Sequence, residues 1–192
     1  YPGAGTSVKK ASQHKHFRQL CKMFEKIGYV VIMYDNSGFF DSGINNTISH
    51  SSLKHDAAVM LTYIKGLFGP CHIICIGHSF GGNKALQLAQ QCNLQGNSDV
   101  TLMLINTYYN ARQIRRLPTS LFIGCRAMDG VHDNAILLSE CKVKACIVLH
   151  SKEDEVIPYS EGLQLKHLAS GLCSKSVFFP ITGSHSDVVI DE

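Results

Sequence analysis

At 192 residues the chain is long enough for one sizeable domain and too short for two comfortable ones. Its 45% hydrophobic and 17% charged composition, without a biased tract, excludes disorder as the whole answer. The formal net charge of +3 and a single tight basic pair, Arg115-Arg116, make no nucleic-acid footprint.

Strand-like runs alternate with helix-like ones along the chain. Apolar positions Phe17, Leu20, Cys21, Phe24 and Ile27 fall at helical spacing. A strand is then predicted at 29–34 (YVVIMY), and a second amphipathic helix carries Leu53, Ala57, Met60 and Ile64. Further strands are predicted at 71–76 (CHIICI), 100–105 (VTLMLI), 145–150 (ACIVLH) and 176–179 (SVFF). A third helix is predicted at 83–92, and a fourth starts near Ser160, read as its N-cap. Such alternation implies an α/β fold with a mostly parallel sheet covered by helices on both faces, in one domain over 1–192. The stretch 106–141 is the least regular and too long for a simple connection, so a crossover helix with a short lid insertion is expected there.

Eight cysteines occur without a C-x-x-C pair, and Cys71, Cys75 and Cys146 lie inside apolar runs. They read as reduced structural thiols, with a disulfide scaffold or a zinc site as the competing reading. Reduced thiols favour a cytoplasmic setting. No run reaches the ~20 apolar residues of a membrane-spanning helix, and no signal-peptide pattern opens the chain. Because the first residue is Tyr1 and not Met, upstream sequence is expected, along with any membrane-associating segment it carries.

Chemistry centres on Gly77-His78-Ser79-Phe80-Gly81, a G-x-S-x-G pattern between a buried strand and a helix. In such an elbow a serine sits on a strained turn, and glycines at 77 and 81 let strand and helix pack closely around it. The backbone N–H of Phe80 is one expected oxyanion donor. A glycine-rich turn without chemistry is the bland alternative. A serine hydroxyl needs a base, and that base an orienting acid, following it in the order acid then histidine. Among the histidines after Ser79, His150 closes an apolar strand and His167 lies in a helix. His132 falls in the irregular stretch, whereas His185 sits in the turn-rich "ITGSHSD" after the last strand. His185 is the preferred base, with His132 a rival. For the acid, Glu153, Asp154 and Glu155 share the loop after the strand ending at His150. Asp154 is preferred, its two neighbours read as solvated charge, and Asp133 and Asp187 are outside candidates.

At these residues the chain resembles the α/β-hydrolase superfamily, and within it the small-lidded group that includes the α/β-hydrolase-domain protein depalmitoylases. "YDNSGFFDSG" (34–43), "GHSFGG" (77–82), "HSKEDEVIPYSEGLQL" (150–165) and "GSHSD" (183–187) carry the resemblance. It implies Ser79 as nucleophile, Asp154 as acid, His185 as base, and Asp35 as a structural residue fastening the turn after its strand. A second oxyanion donor would be the backbone N–H of Ala4, in a loop with Pro2-Gly3 where His-Gly is usual. The resemblance also implies a central strand preceding Tyr1. An unfilled gap there would leave unpaired backbone rows in the core, so residues outside this chain or another polypeptide segment are expected to supply it.

The expected activity is hydrolysis of an acyl ester or thioester through an acyl-enzyme, without metal or organic cofactor. The expected substrate is S-acylated protein or lipid, which brings contact with a membrane surface. Phe39, Phe40, Tyr108, Tyr109 and Leu121 would line an acyl site, or serve simply as core. A general carboxylesterase or monoacylglycerol-lipase-like enzyme is the alternative. A thiol enzyme and a catalytically inactive binding module are rivals from other classes.

Overall fold

The computed structural model describes residues 7–11, 15–38, 42, 49–111 and 133–189. Helices α1 (Val8–Ala11), α2 (Lys15–Lys26) and α3 (His50–Phe68) come first. Strand β1 (Ile73–His78), helix α4 (Gly81–Leu94) and strand β2 (Val100–Ile105) follow. Then come α5 (Asn134–Glu140), β3 (Ala145–Ser151), α6 (Tyr159–Leu172), β4 (Lys175–Gly183) and β5 (Val188–Val189). The sheet has the order β1-β2-β3-β4-β5, parallel except for the antiparallel β4–β5 pair.

Side chains alternate across this sheet with the period of two that a pleated strand imposes. Cys75, Leu102, Leu104, Cys146 and Val148 face one way, into a core shared with Leu61 of α3, Leu86 of α4, Leu138 of α5 and Leu165 of α6. Ile74, Ile76, Met103, Ile105, Ile147 and Leu149 face the other way, toward Phe24 and Leu20 of α2. Helices thus cover both faces, which is why the strands read as continuous apolar runs. Each fully buried leucine contributes about 1.5–3 kcal/mol through area removed from water.

Local sequence sets the helix ends. α3 opens with a reciprocal box in which the Ser49 hydroxyl accepts the Ser52 N–H and the Ser52 hydroxyl accepts the Ser49 N–H. α6 starts earlier than the Ser160 reading: Pro158 is its N-cap, and the Glu161 N–H donates to the Pro158 carbonyl. Proline's fixed φ of −55° at that position predisposes the turn without any side-chain cap.

Segment 29–34 departs from expectation, because it belongs to no strand of the sheet. Its burial still alternates, Val30 and Ile32 being exposed and Val31 and Met33 half-buried. A strand exists only by pairing. Here an apolar cavity of about 430 Å³ is lined by residues 29–34 on one side and by 71–76 on the other. The Asp35 carboxylate accepts the Val8 N–H at the start of α1, and its carbonyl accepts the Ser42 hydroxyl across the following turn (3.2 Å). The turn is held by Asp56 of α3, which accepts from the Ser37 N–H (2.7 Å), the Ser37 hydroxyl (2.8 Å) and the Asn36 amide (3.2 Å). Of the expected crossover and lid, 112–132 lies outside the described residues.

Candidate active site

Ser79 follows the last residue of β1 and precedes α4, with a backbone φ of 55°. That left-handed conformation costs a side-chain-bearing residue about 1–3 kcal/mol and persists only where neighbours enforce it. Three bonds do so: Ser79 N–H to the Ile105 carbonyl (3.0 Å), Gly82 N–H to the Ser79 carbonyl (3.0 Å), and the Thr107 hydroxyl to that same carbonyl (2.5 Å). Two glycines permit the packing. A Cβ on Gly77 would lie 2.6 Å from Gly82 Cα, and one on Gly82 would lie 2.8 Å from Thr107 Cβ. Gly82 was not singled out by the G-x-S-x-G pattern, yet it is what lets Thr107 reach the turn. Phe80 is the N-cap of α4, and its amide stands beside Ser79 in sequence at the positive end of that helix.

His185 reaches the same point from the loop after β4. Its Nε2 is 2.9 Å from Ser79 Oγ, and its Nδ1 is 2.8 Å from Asp154 Oδ2. A carboxylate only accepts, so Nδ1 carries the proton and Nε2 presents its lone pair to the Ser79 hydroxyl. Ser79 and His185 are both buried, and the Asp154 side chain is fully so. Burial opposes the Asp154 charge, but the hydrogen bond and charge of His185 with the amides of Ile157 and Val156 outweigh it. The carboxyl is held below its ordinary value. Its two oxygens are divided between tasks, because Oδ1 accepts the Val156 (2.9 Å) and Ile157 (2.8 Å) N–H groups while Oδ2 faces the imidazole.

His150 is structural, as its sequence setting suggested. It is fully buried, donates from Nε2 to the Ile157 carbonyl (3.0 Å), and lies 3.7 Å from Asp154 Oδ2. Burial lowers its pKa, against the opposing effects of Ile157 and Asp154, so it stays neutral beside the carboxylate. A Cβ on Gly162 would approach His150 Nδ1 to 2.6 Å, so α6 can pack there only through glycine.

Several supporting residues escaped the sequence reading. Glu155 accepts the His185 N–H (3.0 Å) and Glu153 accepts the Gly183 N–H (2.7 Å), so two acids read as solvated charge tie down the histidine loop. The Ser151 hydroxyl donates to the Gly183 carbonyl (2.5 Å), and the His185 carbonyl is approached by His78 Nε2 (2.7 Å) and Asn106 Nδ2 (3.3 Å). A buried network continues behind the turn, from Gln87 to Asn83 to Asn134, whose amide reaches Thr107 Oγ1.

The remaining candidates stand outside the Ser79–His185–Asp154 relay. Asp133 caps α5 through the Ala135 and Ile136 amides, and His167 and Asp187 are exposed. Tyr108 is buried and Tyr109 packs against the main core, where the Glu161 carboxylate accepts the Tyr109 and Asn110 N–H groups. Ala4, Phe39, Phe40, Leu121 and His132 lie outside the described residues. The seven described cysteines are free thiols.

Residues 2–96 match the family model described as alpha/beta hydrolase fold. The solved structure of Est1E from Butyrivibrio proteoclasticus with ferulic acid bound superposes with a TM-score of 0.71 at 14% identity, covering 97% of this chain and 79% of that one. The chain has the α/β-hydrolase fold. Among other solved structures, the Paleococcus ferrophilus monoacylglycerol lipase gives a TM-score of 0.66 at 12% identity over 96% of this chain and 83% of the lipase chain. A lysophosphatidylserine lipase ABHD12 of Danio rerio is 27% identical over 188 residues, covering 88% of this chain and 48% of that protein. The uncharacterized protein R595 of Acanthamoeba polyphaga mimivirus is 29% identical over 178 residues, covering 82% and 58%. The chain therefore spans about half the length of the curated relatives it matches.

Proposed function

We propose that the chain forms the catalytic part of a serine hydrolase that cleaves acyl esters of lipids through an acyl-enzyme. The observation that supports this reading is the unbroken relay from Ser79 Oγ through His185 to Asp154, with links of 2.9 and 2.8 Å. Ser79 Oγ attacks the acyl carbonyl while His185 Nε2 takes its proton. Asp154 holds the imidazole in the required tautomer and stabilises the imidazolium. The Phe80 amide receives the oxyanion at the N-terminus of α4. Collapse of the tetrahedral adduct breaks the ester bond as His185 returns the proton to the leaving oxygen. Water then repeats the sequence on the acyl-enzyme, with His185 again as base, releasing the fatty acid and restoring Ser79.

The substrate class rests on the relatives, several of which are named as lysophosphatidylserine lipases. A lipid with one acyl chain is the reading we favour. The same relay acts equally on an acyl thioester, where the leaving atom is sulfur, so S-acylated protein is the second reading, carried by the likeness of the elbow and acid loop to depalmitoylases.

Reaction with a fluorophosphonate probe tests the mechanism. Wild-type protein is expected to label and Ser79→Ala not to label. Equal labelling of both, or labelling abolished by mild thiol alkylation but kept in Ser79→Ala, overturns it. Hydrolysis of p-nitrophenyl esters of increasing chain length, beside lysophosphatidylserine and a palmitoyl thioester, tests the substrate. A preference for acetyl over long acyl chains would count against a lipid.

A further inference from the structure

We propose that His78, the residue before Ser79, is a positioning residue that sets the His185 imidazole in reach of the Ser79 hydroxyl. The inference rests on the hydrolase reading above and adds a residue that the relay itself does not contain.

His78 ends β1 and is buried. Its Nε2 lies 2.7 Å from the His185 carbonyl oxygen. A carbonyl only accepts, so Nε2 carries the hydrogen and this is a donated bond from imidazole to backbone. The two imidazoles lie 5.1 Å apart between centroids, tilted by 40°, and Phe17 of α2 meets the His78 ring edge-on at 5.9 Å. His78 is therefore fixed by packing as well as by its strand.

The geometry forms a bracket. His78 and Ser79 are consecutive, and both hold His185: one through its carbonyl, the other through Nε2. Asn106 adds a second donor to the same carbonyl, and its own position is fixed by its N–H to the Leu149 carbonyl (2.9 Å) and its Oδ1 to the Ser151 N–H (2.8 Å). Glu155 holds the His185 N–H from the opposite direction. With both main-chain polar groups of His185 bound, only its side-chain torsions remain, and Asp154 settles those. A reacting pair displaced by about 1 Å loses up to about 10²-fold in rate. His78 supplies a hold on that loop from the β1 side.

Three substitutions separate positioning from packing. His78→Phe keeps a flat ring between Phe17 and His185 but has no donor. His78→Gln loses the ring but places an amide N–H near the former Nε2. Asn106→Asp keeps the acceptor for the Ser151 N–H while replacing the second donor with an oxygen. The readouts are the second-order fluorophosphonate labelling constant, kcat and KM on a p-nitrophenyl ester, and the downfield proton resonance of His185 Nδ1–H. The expected result is a ten- to hundredfold loss of kcat and labelling in His78→Phe with KM within about threefold. The downfield resonance should broaden in His78→Phe and persist in His78→Gln, whose activity returns to within a few-fold of wild type. Asn106→Asp should lose kcat in the same sense. Wild-type labelling in His78→Phe overturns the proposal, as do equal losses in His78→Phe and His78→Gln. A wild-type protein that never labels strikes instead at the hydrolase reading, and the resonance still reports on the bracket.

Discussion

Asp154 divides its oxygens between two tasks, and that division predicts different fates for two substitutions. In Asp154→Asn the amide oxygen can keep accepting the Val156 and Ile157 N–H groups, now 2.9 and 2.8 Å from Oδ1. The amide nitrogen then faces His185 Nδ1, where Oδ2 now stands at 2.8 Å. It donates, so Nδ1 must accept and the imidazole proton moves to Nε2, pointing at Ser79. A base holding its proton toward the nucleophile cannot accept another. The expected loss in kcat is about 10³–10⁴-fold, or about 4–5.4 kcal/mol at 1.36 kcal/mol per tenfold. Stability should fall by about 1.5–3 kcal/mol, the worth of one charge-assisted bond. Asp154→Ala also abolishes activity and additionally orphans two amides, at about 1–3 kcal/mol each. It should melt roughly 4–20 °C below the Asn variant for a chain of this size. Steady-state hydrolysis of a p-nitrophenyl ester and thermal melts by circular dichroism measure both. An Asn variant retaining more than a tenth of the wild-type kcat would refute the tautomer argument, and an Ala variant melting with the Asn variant would refute the capping argument.

Gly82→Ala places a Cβ 2.8 Å from Thr107 Cβ and must push Thr107 off the Ser79 carbonyl; the expected destabilisation is about 2–4 kcal/mol from overpacking and a lost buried bond, read as a lower urea midpoint. Asp154 and His150 both have folded-state pKa values below their ordinary 3.8 and 6.5, so the unfolded chain binds more protons. Their contribution is present at neutral pH, begins to be lost as pH falls below about 6.5 for His150, and falls further below about 3.8 for Asp154. Urea midpoints should drop from pH 7.5 to pH 5, less so in His150→Gln; a midpoint rising toward pH 5 contradicts this. Leu102→Ala, at a fully buried position between the sheet and its helices, should cost about 2–5 kcal/mol by denaturant titration.

The sheet was legible because parallel strands covered on both faces need apolar residues at every position, and β2 appears in the sequence with its observed limits. Limits blurred where strong local signals mislead. β1 runs on through Gly77 to His78, paired with Leu104 and Ile105, although glycine reads as a break. β4 continues through Pro180, aligned with His150, although proline reads as a stop. Segment 29–34 has a strand's composition and alternation without a strand's pairing, and pairing is not a property of one segment. Ser79, Asp154 and His185 were legible because an elbow, an acid loop and a late histidine must follow one another in a fixed order. Glu153 and Glu155 were not, since their partners are backbone amides thirty residues away, and any residue offers a backbone amide.

Register explains why these parts converge. His78 of β1 pairs with Ile105 of β2, and Ile105 with Leu149 of β3, so β1 and β2 end level while β3 runs on to Ser151. One step beyond that row the ladder still continues, from the Ser79 N–H to the Ile105 carbonyl and from the Asn106 N–H to the Leu149 carbonyl. Ser79 and Asn106 are therefore neighbours by register, and among the described residues they are the two non-glycines with positive φ, at 55° and 44°. A regular strand would send the next peptide onward along the sheet. A left-handed residue turns it, and two turned together open the strand ends into a crevice. Both residues bond to His185, Ser79 to its imidazole and Asn106 to its carbonyl. The strain at the end of β2 thus acts on the same loop as the strain at the end of β1. A serine turn alone would present a hydroxyl; the paired turn also presents a seat for the loop that carries the His185 imidazole to it.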